Sequence, residues 1–150
     1  MAEKDLWRLK ENLPEALTRK RRFVCYALRK RSNGKMSKVP VDAGGGRPVN
    51  HREVENHLTF TQAVAYGVND GVDGIGYVID EGEVLVDLDD CIVDGALNDL
   101  MTECLSAART YAEISVSGRG CKLLVKAEKP GTSVGDNFTF SRSWRAKSLD

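Results

Sequence analysis

Val84-Leu85-Val86-Asp87-Leu88-Asp89-Asp90 opens as an apolar run and closes on carboxylates. The run reads as one strand, and side chains on a strand alternate between its faces. Asp87 and Asp89 then project together while Leu88 points back into the core. Two readings are open at this point. Paired hard oxygens are ligands for Mg2+ or Mn2+, and two such ions organise phosphoryl chemistry. The same aspartates also suit the end of a buried strand, where Asp opens a turn.

Ile75 to Asp80 and Glu83 to Asp89 read as two short strands joined at Glu81-Gly82, an antiparallel hairpin with the aspartates at its far end. Asp94-Gly95 is expected to open a helix that carries Leu97, Leu100, Met101, Cys104 and Leu105 on one side and ends near Arg109. Strands Tyr111 to Val116 and Cys121 to Lys126 flank the turn Ser117-Gly118-Arg119-Gly120. Upstream, Arg22 to Leu28 and Met36 to Val41 form a hairpin about Ser32-Asn33-Gly34. Gly44-Gly45-Gly46 with Pro48 reads as a mobile loop. Thr59-Phe60-Thr61-Gln62 has the form of a capping box, predicting a helix to about Gly67. Leu6, Leu9, Leu13 and Leu17 keep helical spacing across Pro14, which breaks the helix. The fold class is α+β: a mostly antiparallel sheet with flanking helices.

A length of 150 residues suits one domain. Its expected parts are a helical segment over 1–20, an α/β domain over 21–130 and a loosely held tail over 131–150. With 41% hydrophobic and 29% charged residues the chain has the balance of a soluble protein, and no window approaches the roughly 20 apolar residues of a membrane span. Met1-Ala2-Glu3-Lys4-Asp5 is not a signal peptide. Cysteines 25, 91, 104 and 121 show neither Cys-x-x-Cys nor zinc-finger spacing, which points to a reduced, cytoplasmic setting without a membrane partner.

The net charge is zero, yet the charges are segregated. Up to Pro40 there are 12 Lys and Arg against 4 acids; from Val41 there are 10 against 18, with twelve acids between Asp70 and Glu113 beside the single base Arg109. Arg19, Lys20, Arg21, Arg22, Arg29, Lys30, Arg31, Lys35 and Lys38 form a basic arm suited to a phosphate backbone, and the acidic middle repels nucleic acid unless cations sit there. The alternative is a solvated surface whose charges pair between the halves.

The bend Ser115-Val116-Ser117-Gly118-Arg119-Gly120 adds a second chemical element. Its small residues let backbone N–H groups approach an anion, its hydroxyls add donors, and Arg119 and Lys122 add positive charge. A nucleoside triphosphate bridged by a divalent ion would join this bend to the carboxylates. Such a bend is also commonly only a turn.

In motif order the chain resembles the primase-polymerase domains of the archaeo-eukaryotic primase superfamily found on phage and plasmid replication proteins. The matching segments are Lys35-Met36-Ser37-Lys38-Val39-Pro40, the Thr59-Phe60 helix start, Asp73-Gly74-Ile75-Gly76-Tyr77-Val78, Val86-Asp87-Leu88-Asp89-Asp90-Cys91 and Tyr111 to Gly120, together covering about residues 20 to 126. The resemblance implies a recognition-motif-like catalytic core and DNA priming or polymerisation with Mg2+ or Mn2+ on Asp87 and Asp89. It further implies incoming-nucleotide contacts at Ser115, Ser117 and Gly118, with Arg119 and Lys122 beside them, and a template on Lys35, Lys38 and the run Arg19, Lys20, Arg21, Arg22. Two departures stand against it. Lys122 occupies the place of the family's phosphate-contacting histidine, and a lysine is a point charge that does not switch near neutral pH. No match to the third acidic residue follows Lys126, Asp136 being the nearest candidate, and the chain stops where family domains continue.

Two function classes follow. One is a nucleotidyltransferase handling nucleotides and nucleic acid through a two-Asp metal site. The other is a catalytically inactive scaffold acting as a phage-encoded binding protein or inhibitor of a host nucleic-acid machine, such as a defence nuclease complex. Among other residues, His51 and His57 are six apart in a polar loop and read as solvent-exposed more readily than as metal ligands, and Cys91 and Cys121 read as small apolar groups. Trp7 and Trp144 read as core-edge or base-stacking residues, and Ser141 to Arg145 as a partner-binding or disordered tail.

Overall fold

The computed structural model describes residues 9–44, 46–115, 117–127 and the backbone of 138–140. Helices and strands are mixed, and every strand pairing is antiparallel, in three sheets. The described residues gather into two compact units, one up to Val78 together with Phe138–Phe140, the other beginning at Ile79. No helix among them is long and apolar enough to cross a membrane. Trp7, Asp136, Trp144 and the Ser141 to Arg145 segment lie outside the described residues.

In the first unit the helix break falls where Pro14 demands it. Residues 9–12 are helical, and α1 (Glu15–Thr18) restarts with Pro14 at its N-cap. Strands β1 (Phe23–Lys30) and β2 (Met36–Val41) form the expected hairpin, in register from Cys25 opposite Val41 to Lys30 opposite Met36. Its turn needs Gly34, which sits at φ +79°, a region that Cβ-bearing residues avoid. Helix α2 (Phe60–Tyr66) starts on a complete capping box: Thr59 accepts from the Gln62 N–H, and the Gln62 side chain accepts from the Thr59 N–H.

Strand β3 (Gly74–Val78) pairs with β1 on one side and with Phe138–Phe140 on the other, so the segment read as a loose tail supplies a strand. Its alternating Phe-Thr-Phe has the β propensity to do so. One face of β1 and β3 presents Phe23 and Tyr77 with α2 against it; the Phe23 ring centroid lies 5.2 Å from Phe60 and 5.4 Å from Tyr77, both edge-on. On the other face Val24, Tyr26 and Val78 pack with Leu28. The glycine loop is tied down at Gly46, whose carbonyl accepts from Arg29, and at Asp42, whose N–H donates to the Arg47 carbonyl.

In the second unit β4 (Glu83–Leu88) lies beside β8 (Cys121–Lys126), which lies beside β7 (Tyr111–Ile114); the sheet order is β4-β8-β7. The hairpin expected between Ile75–Asp80 and Glu83–Asp89 is therefore absent. All five residues of β3 are buried, so that strand takes a central place between two neighbours, whereas the half-buried β4 pairs with β8. Asp94-Gly95 does not open a helix either. With φ of +50° and +78° it forms the tight turn between β5 (Ile92–Val93) and β6 (Ala96–Leu97), the preferred two-residue hairpin geometry for Asp-Gly. Helix α3 (Asp99–Ala108) starts four residues later, where the Asn98 side chain accepts from the Met101 N–H.

One face of this sheet builds the core. Ala112, Cys121 and Leu123 cluster with Met101 of α3 and with Cys91, joined by Val86, Leu88, Ile114, Cys104 and Leu105. The opposite parity carries Asp87, Lys122 and Glu113 in one row across the three strands, and Leu85, Leu124 and Tyr111 in the next.

Gly74 of β3 lies beneath the Tyr26 ring, and a Cβ there would come within 2.6 Å of it. Gly74→Ala is expected to lower the unfolding free energy by about 1–3 kcal/mol through overpacking, measured by urea denaturation. A loss under about 0.5 kcal/mol would show that the ring yields freely.

Candidate functional site

Strand β4 delivers Asp87 but ends at Leu88, so Asp89 and Asp90 belong to the turn that follows. Asp90 sits at φ +51°, and the chain bends there toward β5, where the Ile92 N–H donates to the Arg119 carbonyl over 2.9 Å. The two expected metal ligands thus differ in surroundings. Asp87 is ion-paired with Lys122, directly opposite it on β8. Asp89 instead lines an open depression with Asp90, Ser117 and Arg119.

The small-residue bend lies against the end of β4. A Cβ on Gly120 would come within 2.9 Å of the Leu88 carbonyl oxygen, so the close approach requires glycine. Ser115 and Gly120 close the bend, the Ser115 N–H donating to the Gly120 carbonyl over 2.8 Å and the Gly120 N–H to Ser115 Oγ over 3.0 Å. Ser115 Oγ and Ser117 Oγ lie 2.9 Å apart, within hydrogen-bonding distance. Gly118, at φ +74°, donates its N–H to the Ser115 carbonyl. Ser115 and Gly118 therefore hold the bend together, while Ser117 and Arg119 face the depression. The Arg119 guanidinium grips Asp90, with Nε 2.8 Å from Oδ1. Both side chains of this pair are more than two-thirds exposed, so it contributes at most about 1 kcal/mol and opens readily to a competing anion.

The motif order calls for a further acid after Lys126 and gives no sign of Glu113. That residue is 2% exposed on β7, directly opposite Lys122. It accepts a hydrogen bond of 3.3 Å from the Tyr111 hydroxyl; burial first, then the charge and hydrogen bond of Glu113, push the Tyr111 phenol far above its ordinary range. Strand parity contained the signal, since Glu113 alternates with the core-facing Ala112 and Ile114, but its neighbour on β8 is non-local.

Mg2+ or Mn2+ on an Asp87–Asp89 pair requires free carboxylate oxygens converging on one point. Here Asp87 is engaged by Lys122, Asp90 by Arg119, and among the described residues no three His, Cys, Asp or Glu side chains form a metal-holding group. The donor set does not fit a two-metal centre.

The basic arm sorts into structural and exposed cations. Between Ala16 and Val41 stand nine Lys and Arg and no acid. Arg19 pairs with Glu15, Arg21 donates to the His57 carbonyl and Arg22 to the Val78 carbonyl. Lys38 lies over the Tyr26 ring, 5.4 Å from its centroid, and Lys20 also has an interaction partner. At the hairpin tip Lys30, Arg31 and Lys35 are exposed, and no ion pair ties their side chains among the described residues. His57, expected in solvent, is instead 2% exposed, with Nε2 2.8 Å from the His51 carbonyl oxygen, and serves to close its loop.

Comparison with protein-family models and with curated proteins finds no match to this chain.

The buried thiols are chemically quiet. Burial pushes Cys25 up to about 12, and burial followed by a hydrogen bond with Cys91 does the same for Cys121. Cys91 is buried too, leaving Cys104 as the part-exposed thiol. A thiol-specific reagent at pH 8 is expected to label one cysteine in the native protein and four in denaturant. Rapid native labelling of Cys25 or Cys121 would contradict this packing.

Proposed function

We propose that this chain is a primase-polymerase-like protein that binds nucleic acid through the tip of the β1–β2 hairpin and a phosphate group at the β7–β8 bend, as a binding scaffold without two-metal catalysis. The observation that carries the proposal is the cluster of Lys30, Arg31 and Lys35 on an exposed hairpin, in a stretch without acids. Cations that pair with neighbouring carboxylates have little left for a ligand. These three have no such partner among the described residues, and neutralising phosphates with them releases condensed counterions, the sequence-independent source of nucleic-acid affinity.

At the bend, Arg119 is the phosphate-binding group and Asp90 holds its guanidinium in place until an anion displaces the carboxylate. The twelve acids between Asp70 and Glu113 oppose a polyanion in that part of the chain, so a single nucleotide or terminal phosphate suits the bend better than a continuous strand. The motif order from the basic hairpin to the bend supports the primase-polymerase likeness. The engagement of Asp87 by Lys122 favours the binding reading over the catalytic one.

Mobility-shift titration with single- and double-stranded DNA and RNA tests this. The triple variant Lys30→Ala/Arg31→Ala/Lys35→Ala is expected to weaken binding and to reduce the slope of log affinity against log salt by about 2 to 3, near one unit per lost phosphate contact. Arg119→Ala is expected to leave that slope unchanged and to lower nucleotide affinity. Unchanged binding by the triple variant would refute the hairpin assignment. Primer extension with Mg2+ or Mn2+ that disappears in Asp87→Ala and Asp89→Ala would replace the scaffold by the enzyme.

A further inference from the structure

The second unit carries an apolar surface that neither its core nor the bend uses. We propose that the β5–β6 hairpin and the first turns of α3 dock a second copy of this chain, which seats there by the tip of its β1–β2 hairpin. The inference goes beyond nucleic-acid binding and does not depend on it, because it rests on two surfaces of the chain that complement each other.

Local structure turns the apolar surface outward. The β5–β6 pair is a two-stranded sheet of its own, a unit that is marginally stable without support. Its support comes from one side. Ile92 packs on the Met101 cluster, its N–H donates to the Arg119 carbonyl, and the Asn98 N–H donates to the Cys91 carbonyl. Strand parity then turns Val93 and its partner Ala96 to the other side. All residues from Val93 to Leu100 are exposed, Val93 at 58%, Leu97 at 41% and Leu100 at 56%. Exposed apolar side chains scattered singly need no account, but these three gather on one hairpin and the helix start that follows it.

Charge decides what covers them. Asp94 is in the hairpin turn beside Val93, and Asp99 and Glu103, one helical turn apart on α3, flank Leu100. No ion pair holds these three carboxylates among the described residues, and no Lys or Arg occurs from Ile79 to Ala108. Two such surfaces brought face to face would set like charges together, so they do not pair with each other. The complement is on the first unit. Lys30, Arg31 and Lys35 are exposed without an ion pair among the described residues, and Met36, directly opposite Lys30, is 59% exposed. An adaptable apolar side chain amid cations thus matches apolar side chains amid carboxylates. Tip and docking surface are different parts of the chain, so the contact is heterologous. Each copy offers its tip to one neighbour and its surface to another, and association continues past the dimer unless a ring closes.

Sedimentation velocity of the full chain from micromolar to submillimolar concentration tests this, with circular dichroism checking that each variant is folded. The wild type is expected to associate as concentration rises and to disperse at about 1 M salt, where the screening length falls to about 3 Å. Lys30→Glu/Arg31→Glu and, separately, Asp99→Lys/Glu103→Lys should each weaken association at least about tenfold by bringing like charges together. An equimolar mixture of these two variants should restore it, since the acidic tip of one meets the basic surface of the other. Leu100→Gln changes no charge and should also weaken association, which keeps the test decisive if reversal at the start of α3 prevents folding. A wild type that stays monomeric throughout would overturn the second copy as the occupant and leave the surface to a different basic partner. Association that persists at high salt or in Lys30→Glu/Arg31→Glu, or a mixture of folded variants that stays dispersed, would overturn docking by the hairpin tip.

Discussion

The alignment of β8 between β4 and β7 governs the chemistry of the second unit. Antiparallel pairing with period two allows no intermediate setting: a slip of one residue would turn Lys122 into the core and Cys121 or Leu123 out of it. The apolar face against α3 therefore also fixes the polar face. Burying Leu123 and Cys121 with Met101 is what aligns Lys122 with Asp87 on one side and Glu113 on the other. Packing, a non-directional force, ends by choosing which charges meet.

The bend between β7 and β8 inherits its position from the same alignment. Closing the Tyr111–Ile114 and Cys121–Lys126 pair leaves Ser115 to Gly120 at the end of the sheet, where glycine at 120 permits contact with the end of β4. Arg119 then meets Asp90 across that contact. Neighbouring ion pairs so differ in kind. Asp87–Lys122 belongs to the rigid ladder and is partly shielded, whereas Asp90–Arg119 joins two exposed turn residues and exchanges partners at little cost.

Much of this was legible in local sequence. The Ser32-Asn33-Gly34 turn, the Thr59–Gln62 capping box, the break at Pro14 and the strand Cys121–Lys126 each depend on residues within a few positions of one another, and each is where the sequence placed it. Non-local pairing was not legible. Proximity in sequence suggested that β3 and β4 pair, but partners are set by burial across the sheet, and full burial of β3 demanded two other strands. Glu113 shows the same limit, for its neighbour is Lys122, nine residues on and known only through register. The cations of the basic arm look alike in sequence, yet Arg21 and Arg22 bind backbone carbonyls and Lys30, Arg31 and Lys35 do not. Asp94-Gly95, read as a helix start, instead takes two positive φ angles and turns a hairpin, because the pairing of Ile92–Val93 with Ala96–Leu97 decides between the two uses of the same dipeptide.

Strand β2 is one edge of the first sheet among the described residues. A border strand exposes unpaired N–H and C=O groups and invites another chain to add to it. Pro40 removes one donor from β2, and Lys35 and Lys38 place like charges along and beside it. The positive charge along the hairpin makes two copies repel at this border. Neutralising these lysines would remove that repulsion and favour edge-to-edge sheet growth.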